Sequence, residues 1–268
     1  MYKMTALAIA LCLTGCTKDS GDKSSDTDII NTANAATVKD KAPAAARVEA
    51  LPSLEHVLAK HFKALGGEDN LRNAKTLTYS GTYTHGDKTA TIAKFYERAG
   101  NKFRVEKDKG DETMIKVVNG DKAWQLHDGK VEEMTGEKAQ YAMKGASMDD
   151  ELLTYKQDGS AVKLVGKGNV DGKPAFQIEI AKGEHKTEMR YIDAGSFLEV
   201  KRVVSWQKEG KSGKTTIKFS DYRDVGDGMM INHRADYQSD EGPGVFIIDS
   251  AAYNAPIDAA RFEPPAVQ

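Results

Sequence analysis

Residues 161–181 read AVKLVGKGNVDGKPAFQIEIA. Two strand-like runs, 161–169 and 175–181, flank Asp171-Gly172. An Asp-Gly pair suits the tightest hairpin because both residues tolerate the positive φ that its two central positions require. The same device recurs at Asn119-Gly120, Asp128-Gly129 and Asp227-Gly228, each between runs of the same kind. Those runs are 90–98, 102–107, 113–118, 123–127, 187–193, 198–207, 215–222, 229–238 and 245–253. Ahead of them all, Leu77, Tyr79 and Tyr83 alternate with Thr76, Thr78, Ser80 and Thr82, the period of a half-buried strand. Runs this short and this evenly spaced predict a mainly β chain, a meandering antiparallel sheet of about eleven strands.

Helical periodicity is confined to two places. Leu54, Val57, Leu58, His61, Phe62 and Leu65 share one helical face, with Ser53 placed as N-cap and Gly66 just past the end. Gly67 opens a second short helix at 68–74. Residues 137–155 lack alternation and predict one or two helices broken near Gly145. A large sheet with so few helices either closes on itself or has a concave face that helices must cover.

The N-terminus has a different character. Lys3 precedes a short apolar run at residues 4–13, followed by small residues and Cys16. That is the order of a secretory signal, and the run is shorter than the roughly 20 residues needed to span a bilayer. Leu13-Thr14-Gly15-Cys16 resembles the lipobox of bacterial lipoproteins, in which the cysteine is acylated, with chains such as palmitate, and becomes the new N-terminus. The resemblance implies a signal peptide over 1–15, a lipidated Cys16, and a membrane anchor stabilised by two or more acyl chains. Thr17, standing where Asp would imply inner-membrane retention, implies the outer membrane. Residues 17–52 are rich in Lys, Asp, Ser, Thr, Asn and Ala and contain no aromatic residue. Such a segment cannot bury enough apolar surface to order itself, so it reads as a tether with a reach of about 30–35 Å. One domain, 53–268, follows.

Composition closes off several functions. The chain has 268 residues, a net charge of −2 and charges of both signs, so no basic footprint for nucleic acid is present. The cysteines are Cys12 and Cys16 alone. Cys12 leaves with the signal and Cys16 is acylated, which excludes a disulfide, a cysteine nucleophile and a cysteine metal site.

From residue 61 the chain reads HFKALGGEDNLRNAKTLTYSGT, which resembles the opening of a group of bacterial envelope proteins. The stretch VGKGNVDGKPA at 165–175, the hairpin around Tyr191-Ile192-Asp193 and Phe197-Leu198-Glu199-Val200, the strand end Phe219-Ser220-Asp221-Tyr222-Arg223, and the terminal Asn254-Ala255-Pro256-Ile257-Asp258 and Phe262-Glu263-Pro264-Pro265 also fit. The group is the LolA/LolB-like superfamily of outer-membrane lipoprotein-sorting-like proteins. The resemblance spans about residues 54–265. It implies an incomplete antiparallel β-barrel, a half-barrel with helices across its concave face and an apolar cavity that accepts acyl chains. Helices over 137–155 then cover the open side, with Met143, Met148, Leu152 and Leu153 pointing inward and Trp124 joining the wall. A fully packed core is the alternative for those same side chains. In LolB an exposed apolar residue on a protruding loop does the work, and Gly242-Pro243-Gly244 before Val245-Phe246 is the candidate here.

Motifs for chemistry fail on spacing. Gly210-Lys211-Ser212-Gly213-Lys214-Thr215 lacks the first glycine of a phosphate-binding loop and leads into a strand where that motif needs a helix. His56 and His61 are five apart, not four, and Glu55 precedes them, so no zinc-protease motif exists. His61 is better read as a core histidine. His85, His127, His185 and His233 show no ligand spacing, and no nucleophile elbow is present. Asp149-Asp150-Glu151 reads as dipole-complementing acids at a helix start. The expected function is a non-catalytic, cofactor-free and metal-free monomer that binds lipid or lipoprotein acyl chains. The alternative is an envelope sensor or binding module of the same fold.

Overall fold

The computed structural model describes residues 50–208 and 210–266. The signal peptide, Cys16 and the tether up to residue 49 lie outside the described residues. Pro52–Gln268 form one compact unit.

Helix α1, Leu54–Ala64, starts where expected, with the Ser53 hydroxyl accepting from the His56 amide at 3.2 Å. Gly66 follows it at φ +112°, a conformation that also lets its backbone lie on Gly228 and Met229, where a Cβ would come within 2.8 Å. The Met230 amide donates to the Leu65 carbonyl at 3.1 Å, so the end of α1 is tied to a distant hairpin. Helix α2 is Glu68–Asn73.

Thirteen strands follow: β1 Thr76–His85, β2 Lys88–Glu97, β3 Lys102–Asp108, β4 Thr113–Asn119, β5 Lys122–His127, β6 Lys130–Glu133, β7 Ala161–Val170, β8 Lys173–Ala181, β9 Lys186–Asp193, β10 Glu199–Lys208, β11 Lys211–Asp224, β12 Met230–Ser239 and β13 Gly242–Tyr253. Every run named from the sequence is a strand. The count rises because β6 has only four residues, too few to show a period. Asp128-Gly129 and Asp171-Gly172 each form a two-residue turn with φ positive at both positions. Gly242-Pro243-Gly244 is not a turn, which corrects the protruding-loop reading. These residues pair with Ser239, Gln238 and Tyr237 inside the β12–β13 ladder, leaving Asp240-Glu241 as a polar tip.

All ladders are antiparallel, in the order β6-β5-β4-β3-β2-β1-β13-β12-β11-β10-β9-β8-β7. The first strand thus pairs with the last, at the middle of the sheet. A bulge between Ser80 and Gly81 bends that central pair. Only glycine fits there, since a Cβ at Gly81 would stand 2.0 Å from the Ile247 carbonyl oxygen. The free edges are β6 and β7, and the chain passes between them through α3, Gly136–Gly145, and α4, Glu151–Asp158. The barrel is open at that seam, as expected of an incomplete barrel.

Two cores lie on the inner face. In one, Val57, Leu58 and Phe62 of α1 and Leu152 and Leu153 of α4 pack on Phe176, Ile178, Ile180 and Ile192. In the other, Ala139 of α3, with Met134 and Ala146, packs on Val118 and Ala123. Outside, the chain end folds back in a 3₁₀ turn, Ala259–Phe262, and buries Phe262 completely, its carbonyl accepting from Asn119 Nδ2 at 3.3 Å.

Candidate functional site

Register decides which side chains face inward. Tyr79 stands opposite Lys94, Leu77 opposite Tyr96, and Tyr96 opposite Phe103. Across the centre, Tyr83 pairs with Phe246 and Ala235 with Phe246. One face of β1, β2, β3, β12 and β13 therefore carries a belt of aromatic side chains. Tyr96 and Phe103 have ring centres 4.7 Å apart, Tyr79 and Tyr96 6.3 Å, Tyr79 and Phe246 6.4 Å, and Tyr83 and Tyr237 5.9 Å. Among the described residues, Phe103 is the member of this belt that packs on the α1–α4 or the α3 core. Tyr79, Tyr96, Phe103 and Tyr237 are half-buried, and Tyr83 and Phe246 are buried. Burial pushes the Tyr237 and Tyr253 phenols up to about 12, so at neutral pH they are uncharged hydrogen-bonding groups.

The other inward feature is ionic. Asp150 caps α4, accepting from the Leu152 amide at 2.8 Å, and both its carboxylate oxygens also accept from Arg190 Nη1, each at 2.7 Å. Arg190 and Glu188 are buried neighbours on β9, 3.3 Å apart. Arg202 on β10 grips Glu199 with two bonds of 2.8 Å, and the Tyr222 hydroxyl donates to the Glu199 carbonyl. The flanking acids take their own partners: Asp149 pairs with Arg98, and Glu151 with Lys182. Burial would raise the Asp150 carboxyl, but Arg190 and Arg202 hold it well below the usual carboxylate range. Glu188 is lowered for the same opposing reasons. The triplet read as dipole-complementing is thus also the clasp that fastens the start of α4 to the middle of β9 and to the ends of β2 and β8.

The expected site residues are divided. Leu152 and Leu153 sit together, buried in the α1–α4 core. Of the two alternatives for them, they occupy the packed core. Met143 is half-buried beside Phe103 and Val118, at the end of the aromatic belt. Met148 is half-buried outside both cores. Trp124 stands on the opposite side of the sheet. It pairs with Val117 and packs with Ile115, Leu126 and Val131, whereas Val118 and Ala123 face α3. A one-residue step reverses the face in a strand, and nothing in residues 123–127 marks which face is inner. The Asp150–Arg190 clasp and the tyrosine belt went unread. Their signal is Glu188 and Arg190 spaced by two in a strand, in register with Ile178 and Ile180.

Histidines fall as follows. His61 is buried and its Nδ1 meets the Phe197 carbonyl at 2.7 Å, a satisfied core histidine. His127 does acquire acidic neighbours from the fold: Glu112 and Asp128 are each 3.2 Å from its ring nitrogens. The three could ligate a metal ion, but Lys109 already holds Glu112 at 2.5 Å. At the sheet's rim a cleft of about 520 Å³ is lined by His185, Lys186, Trp206, Gly213, Lys214 and Asp240. Trp206 lies on Gly213, and its Nε1 is buried without a partner among the described residues.

No family model matches the sequence, and no curated protein does. Solved structures do. A putative outer membrane lipoprotein-sorting protein domain from Vibrio parahaemolyticus matches with a TM-score of 0.55 at 10% identity, over 79% of this chain and 96% of its own. A DUF1329 family protein from Desulfovibrio piger gives 0.57 at 12%, over 81% and 100%. The LolA superfamily protein NE2245 from Nitrosomonas europaea gives 0.52 at 11%, over 78% and 97%. This chain shares the fold of these three structures. At such low identity the likeness is one of architecture, and the side chains inside are this chain's own.

The clasp makes a pH prediction. The folded-state value for Asp150 lies below its ordinary 3.8, so its stabilisation is complete above that value and drains away as pH falls below it. Asp150→Asn should cost about 1 kcal/mol at pH 7, the lower end for a charge-assisted bond because the Asp150 side chain is 45% exposed and water screens it, and the gap from wild type should narrow toward pH 2. Urea unfolding at pH 7, 4 and 2.5 checks this; a gap independent of pH would contradict it.

Proposed function

We propose that this protein is an envelope lipoprotein, anchored through acylated Cys16 to the outer membrane and facing the periplasm, that binds acyl chains of a lipid or lipoprotein on the concave face of its sheet. It acts as a carrier or acceptor and catalyses no reaction. The observation that carries this reading is the aromatic belt of β1, β2, β3, β12 and β13. It faces inward, yet among the described residues Phe103, at its end, is its one member packed on the α1–α4 or the α3 core. Burying an acyl chain there yields about 0.8 kcal/mol per CH₂, so a chain of about fifteen carbons supplies about 12 kcal/mol and keeps micromolar affinity after an association cost of about 4 kcal/mol. The fold, shared with a protein named as a putative outer membrane lipoprotein-sorting protein domain and with a LolA superfamily protein, supports the same reading. Met143, unbranched and polarizable, stands where the belt meets α3 and can repack around chains of different shape.

The packing of Leu152 separates stability from binding. Leu152→Ala should cost about 3 kcal/mol, as for a fully buried leucine, yet leave affinity for a fluorescent fatty acid within about threefold. Tyr96→Ala should weaken that affinity on the order of tenfold. Fluorescence titration of the folded variants reads both, and a wild type with no saturable binding would defeat the carrier reading. For the anchor, Cys16→Ser should leave the fold intact and release the protein from the membrane fraction; retention after a high-salt wash would contradict acylation.

A further inference from the structure

Several of the cations that this fold draws inward come with carboxylates. Arg190 has Asp150 and Glu188, Arg202 has Glu199, Arg98 has Asp149, and Lys182 has Glu151 and Glu188. Lys94 does not. Its inward neighbours are Tyr79 on β1 and Val105 on β3, directly opposite it, and Ile92 and Tyr96 on its own strand. Its Nζ stands 5.5 Å from the centre of the Tyr79 ring. Among the described residues no carboxylate lies within ion-pair distance of it.

An ammonium on an aromatic wall has lost part of its hydration. A ring returns only about 0.5–2 kcal/mol of that, and replacing the lysine by an apolar residue would suit an acyl-chain wall better. We propose that Lys94 receives the anionic head group of an acyl lipid, whose tail runs along Tyr96 and Phe103 toward Met143 under α3. The path is continuous: Tyr96 touches Phe103 at 4.7 Å between ring centres, and Phe103 packs into the core that includes Met143. The head group is a carboxylate or phosphate, for which a lysine is a compact point charge with three donors. Burial pushes the Lys94 ammonium down, and the phenols of Tyr79 and Tyr237 outweigh it, leaving its value above the ordinary 10.5. The cation is therefore charged at any physiological pH. This inference rests on the carrier reading and adds the class of ligand.

The test compares a fluorescent fatty acid with its uncharged methyl ester on the full-length protein. Wild type should bind the acid on the order of tenfold more tightly than the ester. Lys94→Met should bring the acid down to the ester's affinity and leave the ester unchanged, while Lys94→Arg should keep the preference. A lysophospholipid with a phosphate head group should compete with the acid, and free inorganic phosphate at the same concentration should not, because the tail carries most of the affinity. Equal binding of acid and ester by wild type would overturn the head-group assignment and leave the carrier reading standing. So would a Lys94→Met variant that weakens both probes alike. Competition by free phosphate alone would overturn the lipid as its source. Binding of neither probe would remove both.

Discussion

The ion pair between Asp150 and Arg190 is the interaction on which the interior depends. A thirteen-stranded sheet that does not close has two free edges, and its inner face is open to water or to other chains. Here the chain crosses from β6 to β7 through two short helices. Helices of eight and ten residues are not stable alone. Leu152 and Leu153 give α4 an apolar footing, but apolar contact does not fix a helix in rotation. Asp150 does, because it is at once the cap of α4 and the partner of a guanidinium anchored on β9. Arg190 is 3% exposed in its side chain, so losing the pair would leave a buried charge with only part of its compensation.

Fastening α4 at one end of the sheet and α3 at the other has a consequence for the middle. The two helical cores draw on β3–β5 and on β7–β9. The strands between them still turn aromatic and aliphatic side chains inward, from Tyr79 through Phe246 to Ile217. The core and the proposed binding surface are then one continuous face divided by where the helices land. Such a division allows the ends of the sheet to be rigid while its centre accepts a ligand of variable shape.

Much of this fold was legible in the sequence because antiparallel meanders announce themselves through their turns. Asp128-Gly129 and Asp171-Gly172 are hairpins for the reason given by their residue types, and Ser53 and Gly66 bound α1 as their chemistry requires. What stayed hidden was anything set by long-range register. Trp124 and Ala123 are neighbours in sequence and face opposite ways. Gly242-Pro243-Gly244 has turn composition, but the register with Tyr237 and Gln238 draws it into a strand. Asp150 and Arg190 are forty residues apart, and only the folded sheet shows that one acid completes both a helix cap and an ion pair. Lys94, likewise, is an ordinary alternating residue until its neighbours on β1 and β3 are known.

The central claim is that the inner face between the helical cores holds acyl chains. Its most direct test is mass spectrometry of lipid extracted from the Cys16→Ser protein after export and purification without detergent, since that variant carries no acyl chain of its own. The account predicts an acyl lipid with an anionic head group, in about one-to-one ratio with the protein. A folded protein that yields no lipid, and stays empty after exposure to vesicles of anionic phospholipid, would contradict it.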